Sequence, residues 1–160
     1  MTTLVDHARS LMAYTIWADE RILTAADGIS DEQYAQARAQ LSHMLGTQHW
    51  WYANWMGSTG GAWVEPKLET MAEARAGYEA SHEALRIYAD VLTAEEWDRA
   101  EQWWLRWGFE GRMALGESIT QLFYHGVQHR SEVAALLSIW GHSPGDVDYL
   151  TFLRSSASLS

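Results

Sequence analysis

The stretch that decides the fold is Glu117–Trp140, ESITQLFYHGVQHRSEVAALLSIW. Its apolar residues return at helical intervals, no proline interrupts it, and Gly141 follows as a stop. A helix of that size is about 36 Å long. His125 and His129 stand four positions apart, about 40° around the helix, so both imidazoles project from one face and can share a cation. Glu132 and Leu136 lie on that face, with Leu122, Val133 and Trp140 further round. This pattern points the pair into a bundle, where metal sites of helical proteins are built. Alone, two histidines at this spacing are a weak signal, because helices meet it often by chance.

Working back toward the N-terminus, Leu4 to about Ala26 reads as a helix ended by Asp27-Gly28. Ser30–Gln33, SDEQ, reads as a short turn or the start of a one-turn helix. A second helix is expected from about Gln40 to Met56, broken by Gly57, Gly60 and Gly61, with a loop to Pro66. A third spans roughly Glu69 to Val91, and Thr93–Glu96 opens a helical turn. Glu101 to Leu115 is the least helical segment. Trp103, Trp104, Trp107 and Phe109 suit strands and Gly108 and Gly111 punctuate them, so it reads as a small hairpin or an irregular crossover. After the last helix Pro144 blocks continuation and a short tail follows. Four long helices with a long crossover before the last make an all-α four-helix bundle, expected to be one domain over residues 1–160.

Composition narrows the function. The formal net charge is -10, which argues against nucleic acid and anionic lipid as partners. No cysteine is present, so a metal must use histidine, carboxylate, carbonyl or water. No signal peptide and no apolar run long enough to span a bilayer are visible, so a cytoplasmic location is expected. Ten tryptophans, among them Trp50, Trp51, Trp55, Trp63, Trp103, Trp104 and Trp107, read as core filling plus a dimer face, or as an aromatic ligand pocket.

A third ligand must come from another helix. The second helix offers His43 and His49, about 120° apart around its axis, so one of them faces the centre. His43 shares its face with Gly46, Thr47 and Trp50, and reads equally as a ligand or as a core histidine bonded to a backbone carbonyl. His7, His82 and His142 read as surface or helix-end histidines.

Three motifs then carry a resemblance. Leu41-Ser-His43-Met-Leu-Gly-Thr-Gln-His-Trp-Trp51 resembles the second-helix motif of the DinB/YfiT-like family of helical metalloproteins. Phe123-Tyr-His125-Gly-Val-Gln-His129-Arg-Ser-Glu132-Val resembles its last-helix motif, H-x-x-H-H-R-x-Q, and Trp140 to Asp148 resembles its glycine-proline-aspartate tail. Tyr14, Trp17 and Ala18 suit its first helix. The resemblance implies His43, His125 and His129 as metal ligands. Gln128 stands where the family often has a non-ligating histidine, and Glu132 where glutamine is usual. Glu132 reads as a hydrogen-bond acceptor for a ligand or a metal-bound water, and so as a base behind the ligands, as an additional ligand, or as a salt-bridge partner of Arg130 or another cation.

Three nitrogen ligands leave an open position, as in catalytic sites, and suit zinc or nickel ahead of iron or manganese. The resemblance implies a transferase in which the metal activates a small thiol such as bacillithiol, mycothiol or glutathione for attack on an electrophilic small-molecule substrate, with Trp50, Trp51 and Trp104 lining the pocket. The alternative it allows is a non-catalytic metal-binding stress-response protein; hydrolysis by a metal-bound hydroxide is chemically permitted. Homodimers are the family habit.

Overall fold

The computed structural model describes residues 3–57, 64–104 and 110–157, of which 100–104, 110 and 157 are described by backbone alone. The order is α1 (Leu4–Ala26), α2 (Asp31–Trp55), α3 (Met71–Val91), β1 (Ala100–Trp104), β2 (Glu110–Ala114), α4 (Leu115–Ile139) and α5 (Tyr149–Ala157). The fold is all-α, a helical bundle, and the crossover segment is the hairpin of its two readings. β1 and β2 pair antiparallel, Ala100 opposite Ala114. Among the described residues no helix is long and apolar enough to cross a membrane.

Local chemistry sets the ends. Thr3, Ser30 and Thr70 each accept the amide of the residue three positions on, and Asp6, Gln33 and Glu73 reach back in reciprocal capping boxes. At α4, Ala114 has no side-chain acceptor, and Glu117 instead takes the Ala114 amide at 2.9 Å. α4 ends in a Schellman turn: Gly141 has φ 84°, its amide bonds Ser138 and the His142 amide bonds Leu137.

Two expectations are corrected. SDEQ is neither an isolated turn nor a one-turn helix; it is the cap and first turn of a 25-residue α2. No breaker stands between Asp31 and Gln40, and Tyr34, Ala37, Leu41, Leu45 and Gln48 form a continuous buried stripe. The many polar residues between them hide that stripe from a hydropathy reading. The tail is also more than an extension. Asp148 accepts the Leu150 amide at 2.7 Å and starts α5, whose Tyr149 and Phe152 pack on Tyr14.

α1 and α2 each pack against both α3 and α4. Arg9 near the start of α1 donates to the Ala89 and Leu92 carbonyls at the end of α3, so those helices run antiparallel. α2 and α4 also run antiparallel, Trp55 bonding Ser118 while His43 meets His129. The core falls into three apolar clusters, the smallest being Tyr14, Ala18 and Phe152 under α5; the two large ones lie along the bundle. One holds Leu11, Ile16, Trp51, Trp55, Leu85 and Ile119; the other holds Ile22, Leu41, Leu45, Tyr78, Val133 and Leu137. Between them along the axis lies a layer of buried polar side chains: Asp19, Gln48, Ser81, His82 and Arg130.

Candidate metal centre

His43 comes from α2, and His125 and His129 from one face of α4. Their ring centroids form a tight triangle, 4.9 Å from His43 to His125, 4.8 Å from His43 to His129 and 4.5 Å from His125 to His129. One ring nitrogen from each lies within 4.8 Å of the others. Nitrogens bound to one tetrahedral zinc at 2.0–2.1 Å stand roughly 3.3 Å apart, so small side-chain rotations close the triangle on a cation. Three imidazole nitrogens with no thiolate suit a borderline ion such as zinc or nickel, and the donor set fits.

Each ring has a second partner. Glu65, in the segment before α3, lies with Oε1 3.2 Å from His43 Nδ1. Glu132, one turn beyond its histidine, has Oε2 2.8 Å from His129 Nδ1. Thr47 Oγ1 lies 3.2 Å from His125 Nε2 and donates to the His43 carbonyl at 2.9 Å. Burial, followed by the neighbouring His129 and His43, pulls the His125 pKa down to about 4. It is therefore a neutral, ligand-ready imidazole at physiological pH.

The structure revises where this site sits. The pair on α4 does not point into the bundle centre. The buried stripe of α4 is Leu122, Gly126, Arg130, Val133 and Leu137, and His125 and His129 flank it on the α2–α4 seam, partly open to solvent. The centre belongs to Arg130, whose charge conceals the stripe from a hydropathy reading. Its Nη1 donates to Asp19 Oδ1 at 2.9 Å, and its guanidinium stands 5.2 Å over the Tyr14 ring. A side chain at Gly126 would meet that guanidinium at 2.7 Å, so the residue is small because the arginine folds over it.

His82, read from the sequence as a surface or end residue, is buried at 3 % exposure. Its Nε2 donates to Asp19 Oδ2 at 3.3 Å, beside the Gln48 amide at 2.6 Å, and Ser81 donates to Gln48 Oε1 at 2.7 Å. Burial pushes the Asp19 carboxyl up; the Arg130 charge, with the hydrogen bonds and charge of His82, outweighs it and holds the group below the usual carboxylate range. Sequence reasoning missed this constellation, although Asp19 stands three residues from both Ile16 and Ile22 on the buried stripe of α1. The salt-bridge reading of Glu132 with Arg130 is likewise set aside, since the two face different ways. His49 is exposed and His43 half-buried, as the choice between them required. His7 is exposed, and His142 packs against Gly28 at the end of α1.

Of the tryptophans, Trp51 and Trp55 are core; Trp55 stacks on Tyr88 at 5.1 Å. Trp50 is half-buried against Trp51. Trp63 and Trp107 lie outside the described residues, as do the side chains of Trp103 and Trp104, and so does a pocket lined by Trp104.

The tail explains its own motif: Gly145 has φ 73°, Arg21 donates to the Pro144 carbonyl and Tyr14 to the Val147 carbonyl at 2.7 Å, tying it to α1. No curated protein matches the chain, and no solved structure does. The DinB family model matches residues 1–158, spanning both histidine motifs and the tail. The chain belongs to the DinB family.

Proposed function

We propose that the chain is a metal-dependent transferase that joins a small thiol to an electrophilic substrate. The observation that carries this reading is the convergence of three imidazoles, and no fourth protein ligand among the described residues, on a seam that solvent reaches. Open three-nitrogen sites are the catalytic kind, whereas structural sites are closed by four protein ligands. A zinc or nickel ion held there supplies Lewis acidity that lowers the pKa of a thiol or water at the open position. The chain's own residues do the rest. His43, His125 and His129 orient the site. Glu132, partly exposed and beside His129, takes the thiol proton. The sulfur then bonds the electrophilic carbon as the leaving group departs. Trp50, about two helical turns along α2 from His43, offers an aromatic wall. The same proposal includes a cytoplasmic homodimer acting on a small molecule.

Elemental analysis of the purified protein, followed by a thiol-transfer assay across bacillithiol, mycothiol and glutathione, tests it. The expected result is about one zinc or nickel per chain and turnover that a chelator abolishes. Bound metal without turnover would leave the non-catalytic metal-binding reading; no bound metal would remove both.

A further inference from the structure

Two carboxylates edge the ring cluster. Glu65, in the segment before α3, has Oε1 3.2 Å from the His43 ring, and Glu132 on α4 has Oε2 2.8 Å from the His129 ring. Each of these side chains is 44 % exposed, so its charge also faces whatever approaches the seam from solvent. Positive charge is scarce there. α2 and α4 carry one arginine each and no lysine. Arg38 pairs with Glu69, and Arg130 is buried against Asp19. Lys67, exposed two positions beyond Glu65, is the chain's single lysine; it can offset one carboxylate but not both.

We infer, on the thiol reading above, that Glu65 and Glu132 select the thiol by the charge of its body. They favour a body that is neutral or cationic close to the sulfur over one that bears a carboxylate there. Any such thiol binds through its sulfur as thiolate, with the proton passed on to solvent. A divalent cation, one thiolate and the two carboxylates then leave the seam with a negative charge in excess. An ammonium a few ångströms from the sulfur is attracted by that excess and a carboxylate is repelled. Partly exposed charge pairs are worth about two- to fivefold in affinity each, and the two carboxylates act together. The net charge of -10 acts in the same direction but is screened beyond about 8 Å at physiological salt, so the nearby pair dominates.

The test uses the full chain loaded with cobalt and three thiols of matched size. These are cysteamine, 2-mercaptoethanol and 3-mercaptopropionate, whose tails are cationic, neutral and anionic. Dissociation constants are read from the thiolate-to-cobalt absorption, without turnover. The three thiols differ in their own acidity, so the deciding quantity is how the ratio of the 3-mercaptopropionate constant to the cysteamine constant changes on substitution. Glu65→Gln and Glu132→Gln should each lower that ratio about threefold or more, and the double variant about tenfold or more. The 2-mercaptoethanol constant should move least. Raising the salt should shrink the wild-type ratio in the same sense. Both side chains are partly exposed and glutamine keeps an oxygen for the ring, so the variants should hold their fold and their cobalt, checked by circular dichroism and metal content. A ratio that stays within about twofold in the cobalt-loaded double variant overturns the inference and leaves the thiol reading standing. Bound cobalt with no thiolate absorption from any of the three thiols overturns the thiol reading, and the selection with it.

Discussion

His129 and Arg130 are neighbours on α4 and serve two polar centres of opposite character. Arg130 looks inward, to Asp19, with both side chains 1 % exposed and all four long helices contributing through Asp19, Gln48, Ser81, His82 and Arg130. His129 looks to the α2–α4 seam, where two helices and one loop supply three imidazoles with a carboxylate or hydroxyl behind each. In the first centre the Arg130 charge is met by the Asp19 carboxylate within the protein. In the second, three imidazole rings converge where solvent reaches them, the arrangement of a cation site. The difference is that a charge removed from water must be matched, whereas an imidazole near the surface stays within reach of water and needs no counter-charge.

The contrast can be broken most forcefully at the inner centre. Asp19→Ala strands Arg130 in the core and should cost about 3–5 kcal/mol in urea unfolding of the metal-free protein. A loss under about 1 kcal/mol would show the buried layer to be solvated. Next in size is the outer centre's response to metal. Zinc at a hundredfold excess over its Kd should stabilise the wild type by about 2.7 kcal/mol, read as a rise in melting temperature, and His129→Ala should abolish that rise. A retained rise would mean that zinc binds elsewhere.

Acid provides a third probe. His125 has a folded pKa of about 4 against an ordinary 6.5, so the unfolded chain takes its proton first as pH falls. Metal-free stability should therefore drop between pH 6.5 and about 4 and level off below, by on the order of 1–3 kcal/mol. The groups that face it are His129, His43, Glu132 and Arg130, with Thr47 against its Nε2. His125→Gln should flatten that part of the stability–pH curve; an unchanged curve would assign the loss to other groups. The smallest effect sharpens the comparison from the other side. His129→Ala without metal should shift stability by less than about 1 kcal/mol, because a partly exposed histidine with an exposed carboxylate partner contributes little. A larger loss would make the seam histidines structural.

Much of this was legible in particular residues. The run Glu117–Trp140 declared its helix, Asp27-Gly28 and Gly141 their stops, and His125 and His129 their common face. The 120° between His43 and His49 showed that only one of them could face the centre, and the second-helix motif, matched by resemblance, singled out His43. Less legible were the features in which polar side chains do buried work. Arg130 and Asp19 sit on apolar stripes as charges, so a reading that sends charges outward turned α4 by about a quarter turn and sent the histidines inward. His82 was misplaced for the same reason, because the buried carboxylate that it meets lies 63 positions away.

The sequence by itself determined the helices, because caps, breakers and the 3.6-residue period act within a few positions along the chain. It also determined the candidate donors, because residue type and angular spacing are local properties. Only the tertiary structure decided which charges cancel in the interior, that Glu65 backs His43 and that Thr47 backs His125. Those pairings depend on helices meeting in space, and the free energy of matching a buried charge is settled by the partner's position rather than by its distance along the chain.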